Sequence, residues 1–222
     1  MIPEIGHFSL ILGLTFAIIL ATLPLLGSYQ KNHALMQLAK PAALGQFLFL
    51  GIAFATLIYS FTMNYFSVKY VASNSNTQLP MLFKVSATWG AHEGSLLLWA
   101  WILTGWTLAV SLLSRSLPDS LTSKMLSVLG MVSIGFMLFI LFTSNPFERL
   151  TEITQEGRSL NPLLQDIGLA IHPPVLYMGY VGVAVAFAFA VATLLEGKFE
   201  SAWARWTKGW TIVAWAFLTI GI

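Results

Sequence analysis

The run Pro174-Val175-Leu176-Tyr177-Met178-Gly179-Tyr180-Val181-Gly182-Val183-Ala184-Val185-Ala186-Phe187-Ala188-Phe189-Ala190-Val191-Ala192-Thr193-Leu194-Leu195 contains no Asp, Glu, Lys, Arg or His. A helix of about 20 such residues crosses the roughly 30 Å hydrocarbon core of a bilayer. Helix is the required conformation there, because backbone polar groups in lipid have only one another to bond. Ile171-His172-Pro173 stands directly before the run. One side chain able to ligate a metal therefore lies at the mouth of a span.

Working outward, comparable runs lie near Phe8–Leu26, Ala42–Phe66, Gly94–Leu113 and Met125–Ser144. A sixth begins near Gly209 and stops at Ile222, short of a full crossing. The expected fold is all-α, a polytopic transmembrane helical bundle with five complete spans and a truncated sixth. It forms a single transmembrane domain over residues 1–222, with external loops at about 67–93 and 145–173. On this reading the chain is the N-terminal part of something longer. The first span is not a cleaved signal, since Met1 to His7 offers no Lys or Arg for a positive leader region.

Composition agrees. Hydrophobic residues make up 57% and charged residues 9%, where a soluble domain carries about a quarter charged. The net charge of +2 reflects topology and gives no nucleic-acid signal. Cysteine is absent, which excludes disulfides, thiol nucleophiles and thiolate metal sites. The odd loops are short and carry Lys31, Lys40, Arg115, Lys124, Lys198, Arg205 and Lys208. The longer even loops hold only Lys69, Lys84, Arg149 and Arg158. Lys and Arg concentrate on the cytoplasmic side, so the N-terminus and both even loops are expected outside. Gly182, Ala186 and Ala190, with Ala184, Ala188 and Ala192, recur every four residues. Small residues at that spacing let helices approach closely in lipid, and packing is the reading favoured over a cofactor groove.

The second external loop contains Leu160-Asn161-Pro162-Leu163-Leu164-Gln165-Asp166-Ile167-Gly168. Asn161 reads as an N-cap, Pro162 as a first helical residue and Gly168 as a stop, giving a short surface helix. His172, followed by two prolines, is then expected at or just before the N-terminus of the fifth span. Spacing alone leaves it a capping histidine or a metal ligand. In the first external loop, Trp89-Gly90-Ala91-His92-Glu93-Gly94-Ser95-Leu96-Leu97-Leu98-Trp99 would place Trp89, His92 and Trp99 on one face if helical from Trp89. That face suits either a flat ligand or the aromatic belt of a membrane interface. His7 and His33 are given no role.

Met1-Ile2-Pro3-Glu4-Ile5-Gly6-His7-Phe8, the Trp89–Trp99 segment, Asn145-Pro146-Phe147-Glu148-Arg149-Leu150, and Asn161 to Asp166 with Ile171-His172-Pro173-Pro174 together resemble the CcmF family, haem-lyase subunits of bacterial cytochrome c maturation. The resemblance covers the whole chain in order. It implies a multi-pass protein of the bacterial inner membrane that holds haem on the periplasmic face for thioether attachment to apocytochrome c. His172 matches the first of two external axial haem ligands, and Trp89, His92 and Trp99 are further candidates for cofactor binding. A b-type haem within the membrane, the second ligand and a tryptophan-rich segment are implied beyond Ile222, so thioether formation by this stretch alone is not expected. The implied partners are a periplasmic haem chaperone, other maturation subunits, apocytochrome c and membrane lipid. Ile167 stands where relatives often have proline. Arg149, Arg158 and Lys84 lie on the side where haem propionates would need cations. The competing readings are a paralogue dedicated to nitrite reductase haem attachment, a haem transporter and a structural assembly subunit. A proton-relay transporter is disfavoured because the five apolar runs hold no Asp, Glu, Lys or His.

Overall fold

In the computed structural model, residues 1–114, 116–152, 154–197 and 202–222 are described, the side chains of 202–204 excepted. Nine α-helices occur among them. They are α1 (Ile2–Gln30), α2 (His33–Gln37), α3 (Ala39–Thr62), α4 (Lys69–Asn74), α5 (Met81–Ala87), α6 (His92–Leu113), α7 (Asp119–Phe142), α8 (Ile167–Glu196) and α9 (Ala202–Gly221). Pro162–Leu164 adds one 3-10 turn. The described residues form no strand beyond a single antiparallel bridge, Val68 to Arg149. The all-α reading holds, and five helices are long and apolar enough to cross a membrane: α1, α2 with α3, α6, α7 and α8.

The helices outrun the apolar stretches that announce them. The first starts at Ile2 rather than Phe8, the fourth at Asp119 rather than Met125, the fifth at Ile167 rather than Pro174, and the last at Ala202 rather than Gly209. The added turns of α1, α7 and α9 carry charged residues, which water or ion pairs accommodate at helix ends. The second ends at Thr62, short of Phe66, because Asn64 takes a left-handed conformation (φ 54°) and turns the chain. Between α1 and α3, Lys31 closes α1 in a left-handed cap, and the Asn32 side chain accepts from the Ala34 N–H at 3.0 Å to start α2.

α1 packs between α3 and α7; α3 also meets α6, and α8 lies against α6, α7 and α9. One core gathers Leu10, Leu50, Leu57, Met137 and Ile140, and a second gathers Leu20, Met125, Leu129, Val185 and Phe189. Apolar burial alone does not bind helices that lie among equally apolar lipid tails; close packing and interhelical hydrogen bonds do. A Cβ on Gly130 would meet the Ala21 nitrogen at 2.9 Å, so α7 runs backbone-to-backbone against α1. Gln46, fully buried, donates to Ser133 across α3 and α7, and the Ser127 hydroxyl donates to the Leu20 carbonyl at 3.1 Å.

The small-residue pattern on α8 serves packing only in part. Gly182, Ala188 and Ala192 are buried, whereas Ala190 is exposed. The tightest contacts with α9 are made by Gly182 against Ala214, Gly179 against Leu218, and Gly221 against Leu176.

Candidate functional site

Residues 63–91, 143–152 and 154–166 interleave into one cap at the bundle end where α1, α6 and α8 begin. Lys69 N–H donates to Glu148 O at 2.9 Å, Leu150 N–H to Ser67 O at 3.0 Å, and Arg158 N–H to Ala72 O at 2.7 Å. Glu156 accepts from the Thr77 hydroxyl at 2.6 Å and the Thr77 N–H at 2.9 Å. Those bonds hold its carboxyl below the usual carboxylate range. Lys84, only 6% exposed, donates to Asn64 Oδ1 at 2.9 Å and to the Thr77 carbonyl at 3.3 Å.

Trp89 lies in the turn between α5 and α6, not on α6. After α5 the Thr88, Trp89 and Gly90 N–H groups bond back to Val85, Ser86 and Ala87, and Ala91 is extended before His92 starts the next helix. The turn closes because position 94 has no side chain: a Cβ on Gly94 would lie 1.7 Å from the Thr88 carbonyl oxygen. Tyr70, buried beneath, accepts the Ala91 N–H at 3.2 Å and donates to the Thr88 carbonyl at 3.1 Å. Burial pushes that phenol well above its usual range. Nothing in the sequence pattern singles out Tyr70.

α8 departs from the expected form in a way that bears directly on His172. Gly168 is no stop. The Asp166 side chain accepts from the Leu169 N–H at 3.1 Å and caps a helix that begins at Ile167, so His172, Pro173 and Pro174 sit in its second turn. Proline lacks an N–H, and inside a helix it orphans the carbonyl four residues earlier. For Pro174 that carbonyl is Ala170, and the Trp89 indole N–H donates to it at 3.0 Å. The two motifs that stand out in the sequence are thus joined by one bond: the tryptophan replaces the donor that the proline removes.

Trp89, His92, Ser95, Leu164, Pro173 and Tyr177 line a cavity of about 250 Å³. The Ser95 and Tyr177 hydroxyls bond at 2.5 Å within it, and His92 Nδ1 bonds the Ser144 hydroxyl at 3.0 Å. Trp99 stands apart, stacked on Phe136 with centroids 3.9 Å apart. His172 does not line the cavity. At about 100° per residue, it shares the face of α8 that carries Leu176 and Gly179, which meets the C-terminal end of α9. The imidazole is exposed and bonds no described residue. α8 has 30 residues, about 45 Å at roughly 1.5 Å each, against a hydrocarbon core of about 30 Å. Glu196 is tied to Lys124 at its far end, and His172 lies in the second turn at the other.

Of the nearby cations, Lys84 is committed inside the cap, and Arg149 is engaged by Glu4 and Ser67. The Arg158 guanidinium is exposed and bonds no described residue through its side chain. Among the described residues no cluster of three or more His, Asp or Glu forms a metal site.

Fold and site together define a multi-pass helical membrane protein that presents one uncommitted histidine in the second turn of a proline-containing helix. The chain belongs to the cytochrome C assembly protein family, which it matches over residues 89–222. It is 60% identical over its whole length to the cytochrome c-type biogenesis protein CcmF of Pseudomonas fluorescens. To that of Pseudomonas aeruginosa it is 59% identical. It spans about a third (34%) of the length of each. A solved structure, cytochrome c heme lyase CcmF, superposes with a TM-score of 0.87 at 30% identity, covering 100% of this chain and 35% of the other.

Proposed function

We propose that this chain supplies one axial ligand, His172, to the haem that a cytochrome c maturation haem lyase attaches to apocytochrome c. The observation that carries the reading is the exposed, uncommitted imidazole on a helix turn fixed by Pro173, Pro174 and the Trp89–Ala170 bond. A histidine is the common proximal ligand of haem iron, and it must be held in orientation to serve. The donor set suits one axial position only.

The cavity beside Pro173, at about 250 Å³, lies below the roughly 300–1,000 Å³ of pockets that enclose drug-sized ligands. The macrocycle would therefore lie across the end of the bundle on the His172 face of α8. Bound there, haem supplies the vinyl groups to which the substrate thiols add. This chain's part is to bind and orient. It contains no cysteine, so no thiol of its own competes. Arg158 is the described cation of the cap free to meet a propionate. The site faces the periplasm in the bacterial inner membrane, where a haem chaperone, the other maturation subunits and apocytochrome c reach it. The second axial ligand, the tryptophan-rich platform and a membrane-held b-type haem belong to the remainder of a CcmF-length protein.

The test is His172→Ala in the complete protein expressed in cells. Covalently attached haem in c-type cytochromes should fall to background while the membrane protein accumulates normally. Wild-type levels of attached haem would refute the ligand assignment. A loss confined to nitrite reductase would assign the chain to the dedicated paralogue.

A further inference from the structure

At the end of the bundle remote from His172, α2, the start of α3 and the start of α7 enclose a cavity of about 400 Å³. Its floor is apolar, made by Met36, Ala39, Pro41 and Leu126. Its upper wall carries Lys40, Asp119, Thr122 and Ser123. Serine and threonine inside helices usually return their hydroxyl to a carbonyl one turn back, as Thr104, Thr107 and Ser111 do in α6. Ser123 does not. It is 3% exposed, lines the cavity and has no hydrogen-bond partner. The Thr122 hydroxyl is also unpartnered but is shut off from the cavity. No side chain caps the first turn of α7, which opens after Pro118. The Ser123 hydroxyl lines the cavity and is free to donate to an occupant with acceptor oxygens.

Charge and shape narrow the occupant. Lys40 brings a cation that bonds no described residue, and Asp119 brings a carboxylate whose recorded partner is the exposed His33, 3.7 Å away. The rim therefore offers both signs, which suits a zwitterion and disfavours a plain anion. From Pro41 an exposed apolar stripe continues along α3 through Leu44, Leu48 and Ile52, three or four residues apart and thus on one face. An acyl chain would lie on it.

We propose that this cavity binds the headgroup of a zwitterionic aminophospholipid. The phosphate accepts from Ser123 and Lys40, the ammonium meets Asp119, and one acyl chain follows the Pro41–Ile52 stripe. The site owes nothing to the haem reading and stands or falls without it. Its consequence is mechanical: the lipid ties α2 and α3 to α7 at the end of the bundle opposite the cap.

The full chain is purified in mild detergent and titrated with phosphatidylethanolamine, phosphatidylglycerol or inorganic phosphate, and bound molecules are counted by native mass spectrometry. One phosphatidylethanolamine per chain should be retained, with about tenfold preference over phosphatidylglycerol, a difference of about 1.4 kcal/mol. Ser123→Ala and Lys40→Gln should each weaken retention. Asp119→Asn, at an exposed position that leaves packing untouched, should remove the preference between the two lipids without removing binding. Three results would overturn the proposal: equal retention of both lipids by the wild type, retention unchanged in all three variants, or inorganic phosphate displacing the lipid at equal concentration. The first two would leave only surrounding lipid and buried water, and the third a free-anion site.

Discussion

Replacing Trp89 by phenylalanine removes one N–H and little volume, which makes it a sharp probe of how His172 is held. The Ala170 carbonyl, already without its helical donor because of Pro174, would then be unpaired in a half-buried position. Such a group costs about 1–3 kcal/mol. The variant should accumulate, but the turn carrying His172 should loosen. In the complete protein this should appear as a changed Soret band or easier displacement of the haem ligand by added imidazole. A spectrum and displacement curve identical to wild type would leave Trp89 a packing residue. Trp99, stacked on Phe136 in the second core, should show no such spectral effect when changed to phenylalanine. Either tryptophan could be an interfacial anchor by composition, and only the contact with Ala170 separates them.

At the level of elements, α5, its turn and α6 depend on the missing side chain of Gly94. Alanine there would drive a methyl into the Thr88 carbonyl. The nearest atom is backbone and the Tyr70 hydroxyl at 2.8 Å belongs to a buried ring, so neither can yield cheaply. We expect Gly94→Ala to destabilise the protein by about 3 kcal/mol or more, seen as a lowered midpoint in thermal unfolding in detergent. An unchanged midpoint would mean that the turn is not as close as the structure has it. α8 starts earlier than its sequence suggests. A His-Pro-Pro segment looks like a helix start because prolines inside helices normally cost too much. Here Asp166 caps the helix earlier, and Trp89, 81 residues away in sequence, repairs one of the lost bonds.

For the whole molecule, the far end of the bundle is tied by Lys124. Its ammonium meets Glu196 at 2.5 Å and the Leu195 carbonyl at 3.3 Å, and it lies over the Tyr29 ring, so α1, α7 and α8 converge on one cation. Breaking a buried pair costs about 3–5 kcal/mol; Glu196 is partly exposed, so about 2 kcal/mol is the expected loss for Lys124→Met. The double variant with Glu196→Gln should regain part of that loss, and purely additive losses would deny the coupling. Orientation is open to a direct assay because the chain lacks cysteine. A membrane-impermeant thiol reagent applied to intact spheroplasts should label Arg158→Cys and spare Lys31→Cys. The reverse pattern would invert the topology and place His172 in the cytoplasm.

Sequence by itself determined the class of fold. Apolar runs of about 20 residues without charge have the length of helical crossings, and the His-Pro-Pro and Trp-Gly-Ala-His-Glu-Gly segments mark one bundle end. Their resemblance to the CcmF proteins holds across the chain. The helix ends were harder to read, because the outer turns of α1 and α7 carry charges that hydropathy counts as loop, while those of α8 hold Gly168, Pro173 and Pro174. Tertiary structure alone decided that Trp89 serves Pro174, that His92 and Trp89 share a cavity His172 does not enter, and that Ser123 lacks a partner. The first rests on a contact between residues 81 apart in sequence and the others on what neighbouring elements leave open, and periodicity within one helix carries no record of what the next helix brings to it.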